Sequence, residues 1–288
     1  MTSWSRLSSA VLVRERICRS ALNKSGIPGV DYCVNPYTGC SHGCVYCYAT
    51  FMARYSGHVE PWGTFVDAKV NLPDVLSREV KRGPRGFVVV GTVCDPYQPA
   101  EAEFGLTRRA IAILCRAKFE FHVLTKSDLV VRDIDVLRDC PNGGVQMTLT
   151  GLSDDVASFF EPGAPTMTRR LVAVERLCRA GVDVGAFFGP ILPYFADRPD
   201  RIDALFFRLK QAGIRRVLMD KLNYLKAKYP TIRPWLRRYR PEALPAFERA
   251  LREPESYSEK LREDIVAALG RHGLEGEVVF GQASRAGN

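Results

Sequence analysis

At 288 residues, with 46% apolar and 25% charged side chains, the composition is that of an ordinary globular chain. It excludes a disordered tail, a collagen-like rod and a disulfide-only miniprotein. A net charge of +9, from 41 basic against 32 acidic residues, favours polyanionic or phosphorylated partners. No apolar run approaches the roughly 20 residues of a membrane helix. The run 10–13 before Arg14 falls short of the roughly 7–15 residues of a signal core, so the protein is expected to be cytoplasmic and to touch no membrane. Nine cysteines, an odd count, suit metal binding, reactivity or packing better than pairing.

Short apolar runs at 31–37, 86–92, 120–125, 144–150, 182–188 and 214–219 predict strands. Helical patterns lie between them at 73–82, 106–117, 128–139, 168–180 and 200–212. Phe87-Val-Val-Val90 is apolar at both alternating positions, which suits a parallel strand covered on both faces. Gly181 and Gly213 follow helical patterns and precede strands, where a left-handed cap belongs. The alternation predicts an α/β fold, a partial (β/α)6 TIM-like barrel over residues 31–220, with its site at the C-terminal ends of the strands. An N-terminal segment (1–30) precedes it, and a small, mostly helical C-terminal extension (221–288) follows. In that extension Pro230, Pro234, Pro241 and Pro245 break up a basic stretch. Residues 259–269 read as a helix capped by Ser258 and ended by Gly270, and 277–280 as a short last strand.

Directly after the first predicted strand stands Cys40-Ser-His-Gly-Cys44-Val-Tyr-Cys47, a C-x3-C-x2-C run. Three thiolates so close together wrap one face of an iron–sulfur cluster, and three ligands leave one iron of a 4Fe–4S cluster open. An open iron suits a chelating cofactor, as an open position does on catalytic zinc. A structural zinc site or three packing cysteines are the alternatives. For zinc, His42 inside the loop is poorly placed to complete a tetrahedron.

The triplet, with an aromatic before its last cysteine, resembles the signature of the radical S-adenosylmethionine (SAM) superfamily. The longer run Asn35-Pro-Tyr-Thr-Gly-Cys-Ser-His-Gly-Cys-Val-Tyr-Cys-Tyr-Ala49 is similar to the spore photoproduct lyase-like branch. So are Gly91-Thr-Val-Cys-Asp-Pro-Tyr-Gln-Pro-Ala-Glu101, Leu124-Thr-Lys-Ser127, Phe160-Glu-Pro-Gly163 and Gly189-Pro-Ile-Leu-Pro193. The resemblance implies a partial (β/α)6 barrel, a 4Fe–4S cluster on Cys40, Cys44 and Cys47, and SAM chelated to the fourth iron. It further implies reductive cleavage of SAM to methionine and a 5′-deoxyadenosyl radical, with a reductant such as flavodoxin or ferredoxin. The cofactor then carries the hard chemistry, and the protein positions and shields it.

Lys126 follows the third predicted strand, and the resemblance implies that it contacts the SAM carboxylate as a compact charge. Thr148 and Thr150 end the fourth strand and are candidates to add hydroxyl hydrogen bonds to the cofactor. Tyr46 and Tyr48 flank the last cluster cysteine, one expected to face the adenine and the other the core or cavity. Cys94 ends the second strand beside Asp95. Close relatives commonly carry threonine there, and photoproduct lyases place a hydrogen-donating cysteine where Thr92 stands. A thiol returns hydrogen to a carbon radical readily, so Cys94 is the candidate catalytic residue, against a reading as a small buried hydrophobe. Asp95, Tyr97, Gln98 and Glu101 offer polar groups to a substrate or form a rigid turn, and Glu161 binds a substrate or holds its loop.

Cys18, Cys33, Cys115, Cys140 and Cys178 read as packing residues, and His58, His122 and His272 lack metal-ligand spacing. Residues 208–240 hold eleven basic residues and one acid, Asp220, with Tyr224, Tyr229, Trp235 and Tyr239 interleaved. That composition suits a nucleic-acid groove, a phosphate pocket or a solvated helix. The function expected is radical SAM chemistry on a nucleoside, nucleotide or DNA substrate. The alternatives are the same chemistry on an unrelated small molecule in a biosynthetic pathway, or a non-catalytic metal-binding protein.

Overall fold

A computed structural model describes residues 11–83 and 85–280; positions 1–10 of the N-terminal segment and 281–288 of the extension lie outside the described residues. Its strands in chain order are β1 (Leu12–Arg16), β2 (Asn23–Lys24), β3 (Tyr32–Val34), β4 (Tyr37–Thr38), β5 (Phe65–Lys69) and β6 (Phe87–Val90). They continue with β7 (Glu120–Thr125), β8 (Gly143–Leu149), β9 (Asp183–Ile191), β10 (Arg216–Lys221) and β11 (Glu275–Val278). A small sheet has the order β1-β5-β4, and the large sheet runs β11-β10-β9-β8-β7-β6-β3-β2. Strands β3 and β6 to β10 are parallel neighbours in chain order. The fold class is therefore the expected one, six consecutive βα units followed by a mostly helical C-terminal part. The chain end returns to the sheet as β11, parallel to β10.

Helices Leu72–Arg82, Leu106–Arg116, Met167–Arg179 and Pro199–Gln211 cover one face of the sheet. Val88, Val90, Phe121, Val123, Met147 and Phe188 point into the core shared with them. The alternate residues Val89, Leu124, Gln146, Phe187 and Leu218 are only partly buried, so they form the inner face of the curved sheet. Small residues there make room for large ones: a Cβ on Gly185 would stand 2.5 Å from Gln146 Oε1. Gly181 and Gly213 have φ of 78° and 97°, the left-handed conformation expected of them.

Several local readings differ. The predicted strand 31–37 divides into β3 and β4 at Asn35-Pro36, because proline has no N–H for the ladder. The Asn35 side chain replaces the lost bonds, donating to Thr92 Oγ1 (2.9 Å) and accepting from Val93 N–H (3.0 Å). Pro230 and Pro234 do not end a helix but lie within Leu225–Tyr239. Four residues apart, both are exposed on one side, while Leu225, Ile232 and Leu236 bury the other. The next long helix is Pro254–His272, which starts on a proline at its first position. Ser258 is inside it, donating back to Pro254 O (2.5 Å). Cys115 and Cys140, expected to pack singly, form a disulfide between the helix Leu106–Arg116 and the turn before β8. Among the described residues no helix is long and apolar enough to cross a membrane.

Candidate active site

The cysteine loop leaves β4 at the C-terminal end of the large sheet and runs into a short 3-10 turn, Tyr48–Met52. Two tight turns shape it, with Gly43 N–H donating to Cys40 O (3.2 Å) and Cys47 N–H to Cys44 O (3.1 Å). Gly39 opens the loop at φ 83°, and a Cβ there would overlap the Phe65 carbonyl, so only glycine fits. Cys40 and Cys44 are buried and Cys47 half-buried. Burial pushes the Cys40 thiol well above its usual range, Cys44 up to about 12, and Cys47 up as well. Lys126 pulls in the opposite direction on Cys44 and Cys47.

Two segments clamp this loop. From one side, Phe160 O accepts the Val45 N–H (2.9 Å) and Gly163 N–H donates to His42 O (3.0 Å). A Cβ at Gly163 would overlap the Ser41 carbonyl. Between them Glu161 accepts from Tyr46 Oη and from Arg170 Nη2 (2.5 Å). Arg170 also donates to Pro165 O (2.9 Å) and Thr148 O (3.2 Å). Burial opposes the Glu161 charge, but Arg170, Lys126 and the Tyr46 hydroxyl hold its carboxyl below the ordinary value. Glu161 thus holds its loop rather than presenting a free carboxylate.

From the other side Gln98 accepts Ser41 N–H (2.9 Å) and donates to Gly39 O (3.2 Å), gripping both neighbours of Cys40. Asp95 accepts from Tyr97 N–H (2.9 Å), Thr125 Oγ1 (2.6 Å) and Lys126 N–H (2.7 Å). Its carboxyl stays far below the usual range despite burial, because His42 and these donors outweigh desolvation. Tyr97 donates to Asp133 (2.9 Å). Glu101 accepts from Tyr37 Oη (2.5 Å), Thr107 N–H (2.8 Å) and Arg132 (2.8 Å). All four acidic, amide and phenolic groups of this segment are consumed internally, which answers the expectation in favour of a rigid turn.

Lys126 acts electrostatically on Cys44, Cys47, Tyr48 and Glu161. Burial opposes its charge, but Cys44 and Glu161 outweigh it and hold the ammonium above its ordinary value. Tyr46 is buried, whereas Tyr48 is 46% exposed and donates to Thr92 O. Cys94 is buried in a small cluster with Tyr37 and Cys40, its Sγ 3.8 Å from Asn35 Oδ1, and burial pushes its thiol to about 12. Thr148 and Thr150 are both buried. The buried side-chain atoms left without a hydrogen-bond partner, among the described residues, are His42 Nδ1, Trp62 Nε1, Thr150 Oγ1 and Asp220 Oδ1. His42 lies in the cysteine loop, Trp62 packs by Cys40 and neighbours the Cys47 thiol, and Thr150 and Asp220 top β8 and β10. His42 Nδ1 stands 3.4 Å from Asp95 Oδ2 and Trp62 is turned to the Cys47 sulfur. That leaves Thr150 Oγ1 and Asp220 Oδ1 as buried polar atoms with no protein partner among the described residues, where such groups are normally satisfied. No three His, Cys, Asp or Glu side chains among the described residues converge on one ion's position. The thiols of a cluster each bind a different iron.

Asn35, His42, Trp62, Arg170 and Asp220 carry no site role in the sequence reading. The signal for Arg170 was available: Met167, Arg170, Val174 and Leu177 follow helical spacing on the buried face.

The profile of the radical SAM superfamily matches residues 34–206, more than half the chain. The uncharacterized protein Rv2578c of Mycobacterium tuberculosis is 30% identical over 282 residues, covering 93% of this chain and 83% of that protein. The uncharacterized protein MJ0683 of Methanocaldococcus jannaschii is 32% identical over 191 residues, or 66% and 72% of the two chains. Among solved structures, spore photoproduct lyase complexed with dinucleoside spore photoproduct superposes with a TM-score of 0.68 at 17% identity, over 92% of this chain and 81% of that one. Streptococcus suis SuiB bound to its precursor peptide gives 0.58 at 11% identity, over 85% and 48%. These two are likenesses of fold.

Proposed function

As the chain belongs to the radical SAM superfamily, we propose that Cys40, Cys44 and Cys47 ligate a 4Fe–4S cluster and that the enzyme acts on a nucleoside, nucleotide or nucleic-acid substrate. The doubly clamped triple-thiol loop at the C-terminal ends of the strands carries this reading, with the buried Thr150 Oγ1 beyond β8 left free to take a partner. When bound, the cluster and SAM supply a 5′-deoxyadenosyl radical that abstracts hydrogen from the substrate. The chain's own residues do the rest. The Lys126 ammonium takes the SAM carboxylate, and Thr148 and Thr150 serve the cofactor from the end of β8. Trp62 Nε1 directs its hydrogen toward the Cys47 sulfur, a contact that tunes such clusters. Tyr48 faces the open mouth while Tyr46 anchors the loop through Glu161. Cys94 would give its thiol hydrogen atom to the product radical, its S–H bond breaking as the C–H bond forms and leaving a thiyl radical on Cys94 for the reductant to quench. The substrate class rests on the net +9 charge and the basic stretch 208–240. The setting is cytoplasmic, with a flavodoxin- or ferredoxin-type reductant.

The test is anaerobic reconstitution followed by dithionite and SAM, counting iron and 5′-deoxyadenosine together. About four irons per chain with nucleoside release is expected, and Cys40→Ala, Cys44→Ala or Cys47→Ala should each abolish it. No iron, or iron without cleavage, sinks the reading.

A further inference from the structure

Tyr224 lies in the turn after β10, immediately before the helix Leu225–Tyr239, at φ 58°. A bulky residue rarely takes that left-handed conformation. It is held over the cysteine loop at two points. Lys228, one helical turn on, donates to Thr50 Oγ1 (2.8 Å). The Tyr224 ring itself faces Tyr48, with centroids 6.5 Å apart and planes 23° from parallel.

That spacing falls a few tenths of an ångström short of twice the base-stacking repeat of about 3.4 Å, so a planar ring enters between the two when the exposed Tyr224 side chain swings slightly outward. Both phenols are open to solvent, Tyr48 at 46% and Tyr224 at 67% exposure. Asp220 opens the same turn. Strand alternation sets it on the inner face of the sheet, opposite the core residues Val217 and Met219. Its Oδ2 accepts from Asn223 Nδ2 (2.6 Å), while the buried Oδ1 has no donor.

We propose that Tyr48 and Tyr224 form a clamp that sandwiches a nucleobase of the substrate, with Asp220 accepting a hydrogen bond from the base's N–H edge. This rests on the function proposed above and names the part of the site that selects its substrate. The occupant is argued from charge. Lys226, exposed in the first turn of the helix that Tyr224 begins, forms no ion pair among the described residues and is the cation nearest in sequence to a clamped base. Arg237 and Arg240, about 20 Å further along that helix, could meet only phosphates several nucleotides away. Stacking platforms beside a basic track bind single strands in this way.

The experiment uses reconstituted full-length enzyme and a single-stranded oligodeoxynucleotide carrying one 2-aminopurine, whose fluorescence falls on stacking. Wild type and Tyr224→Phe should bind and quench alike. Tyr224→Ala should bind roughly tenfold more weakly with the quench lost, the effect of removing one stack. Asp220→Ala should weaken binding while keeping the quench. SAM affinity and substrate-free 5′-deoxyadenosine formation should be unchanged in Tyr224→Ala. Equal binding and quench in Tyr224→Ala would overturn the clamp, and so would a loss of SAM affinity alone, which would make the cofactor's adenine the occupant. If wild type forms no 5′-deoxyadenosine, the underlying function fails instead, and the clamp with it.

Discussion

The Arg170 guanidinium and the Glu161 carboxylate meet at 2.5 Å with neither side chain reaching solvent. Removing one partner of such a pair strands the other as an uncompensated buried charge. Arg170→Met is therefore expected to cost about 3–5 kcal/mol in urea denaturation and to lower the iron content after reconstitution. Glu161→Gln keeps an acceptor for Tyr46 but strands a guanidinium that cannot shed its charge, so it should lose at least as much. A cost below about 1 kcal/mol, typical of exposed pairs, would show that the pair relaxes into water.

Gly163 and Gly270 make a matched contrast. A Cβ at Gly163 presses on the Ser41 carbonyl, whereas one at Gly270 meets open space on a helix. Gly163→Ala should spread the clamp and reduce iron uptake while the far-ultraviolet circular dichroism is kept. Gly270→Ala should leave iron unchanged and raise stability by about 0.5–1 kcal/mol. Equal iron in both variants would remove the clamp from the loading step.

Burial pushes the Asp220 carboxyl up to about 6, against an unfolded value of about 3.9. The folded state therefore holds a proton that the unfolded chain has released, and stability falls as pH rises through that window. Asp220→Asn removes the ionisation. Its gain in Tm over wild type should be absent below about pH 4 and complete above about pH 6. A gain independent of pH would assign the effect to packing.

Cys94 is small, buried and in contact range of Asn35. Cys94→Ala should cost no more than about 1 kcal/mol, as for one small buried group, and should spare iron content and 5′-deoxyadenosine formation. If its thiol returns hydrogen, solvent deuterium incorporated into product should fall in this variant. Unchanged incorporation would leave Cys94 a packing residue.

The sheet was legible because β7 and β6 keep one face in the core and the other on the inner surface, so apolar runs and their flanking turns coincide with the strands. β1 was not: its five residues are mostly exposed, and it exists by pairing with β5 across more than fifty intervening positions. Pro230 and Pro234 read as helix breakers because sequence carries no record that they, and the residues Lys226 and Pro230 whose carbonyls they leave without a helical donor, lie on the exposed side of the helix. In the site, the three cysteines announced themselves by spacing. Gln98, Glu161 and Asp95 were visible as residues, but their partners, loop backbone for Gln98, Tyr46 and Arg170 for Glu161, and both kinds for Asp95, are brought close only by folding. Tyr224 acquires a role only through Tyr48, which is distant in the chain.

The cysteine loop is a closed ring before any iron arrives. β4 and β5 pair antiparallel at Tyr37–Ala68 and Thr38–Asp67, joining the two ends of the segment that carries all three thiols. The entropy of bringing those ends together is lost when the sheet forms, not when iron enters. Building the cluster is then a local rearrangement on a finished scaffold. A cluster destroyed by oxygen should leave behind a folded chain that can be refilled without passing through the unfolded state.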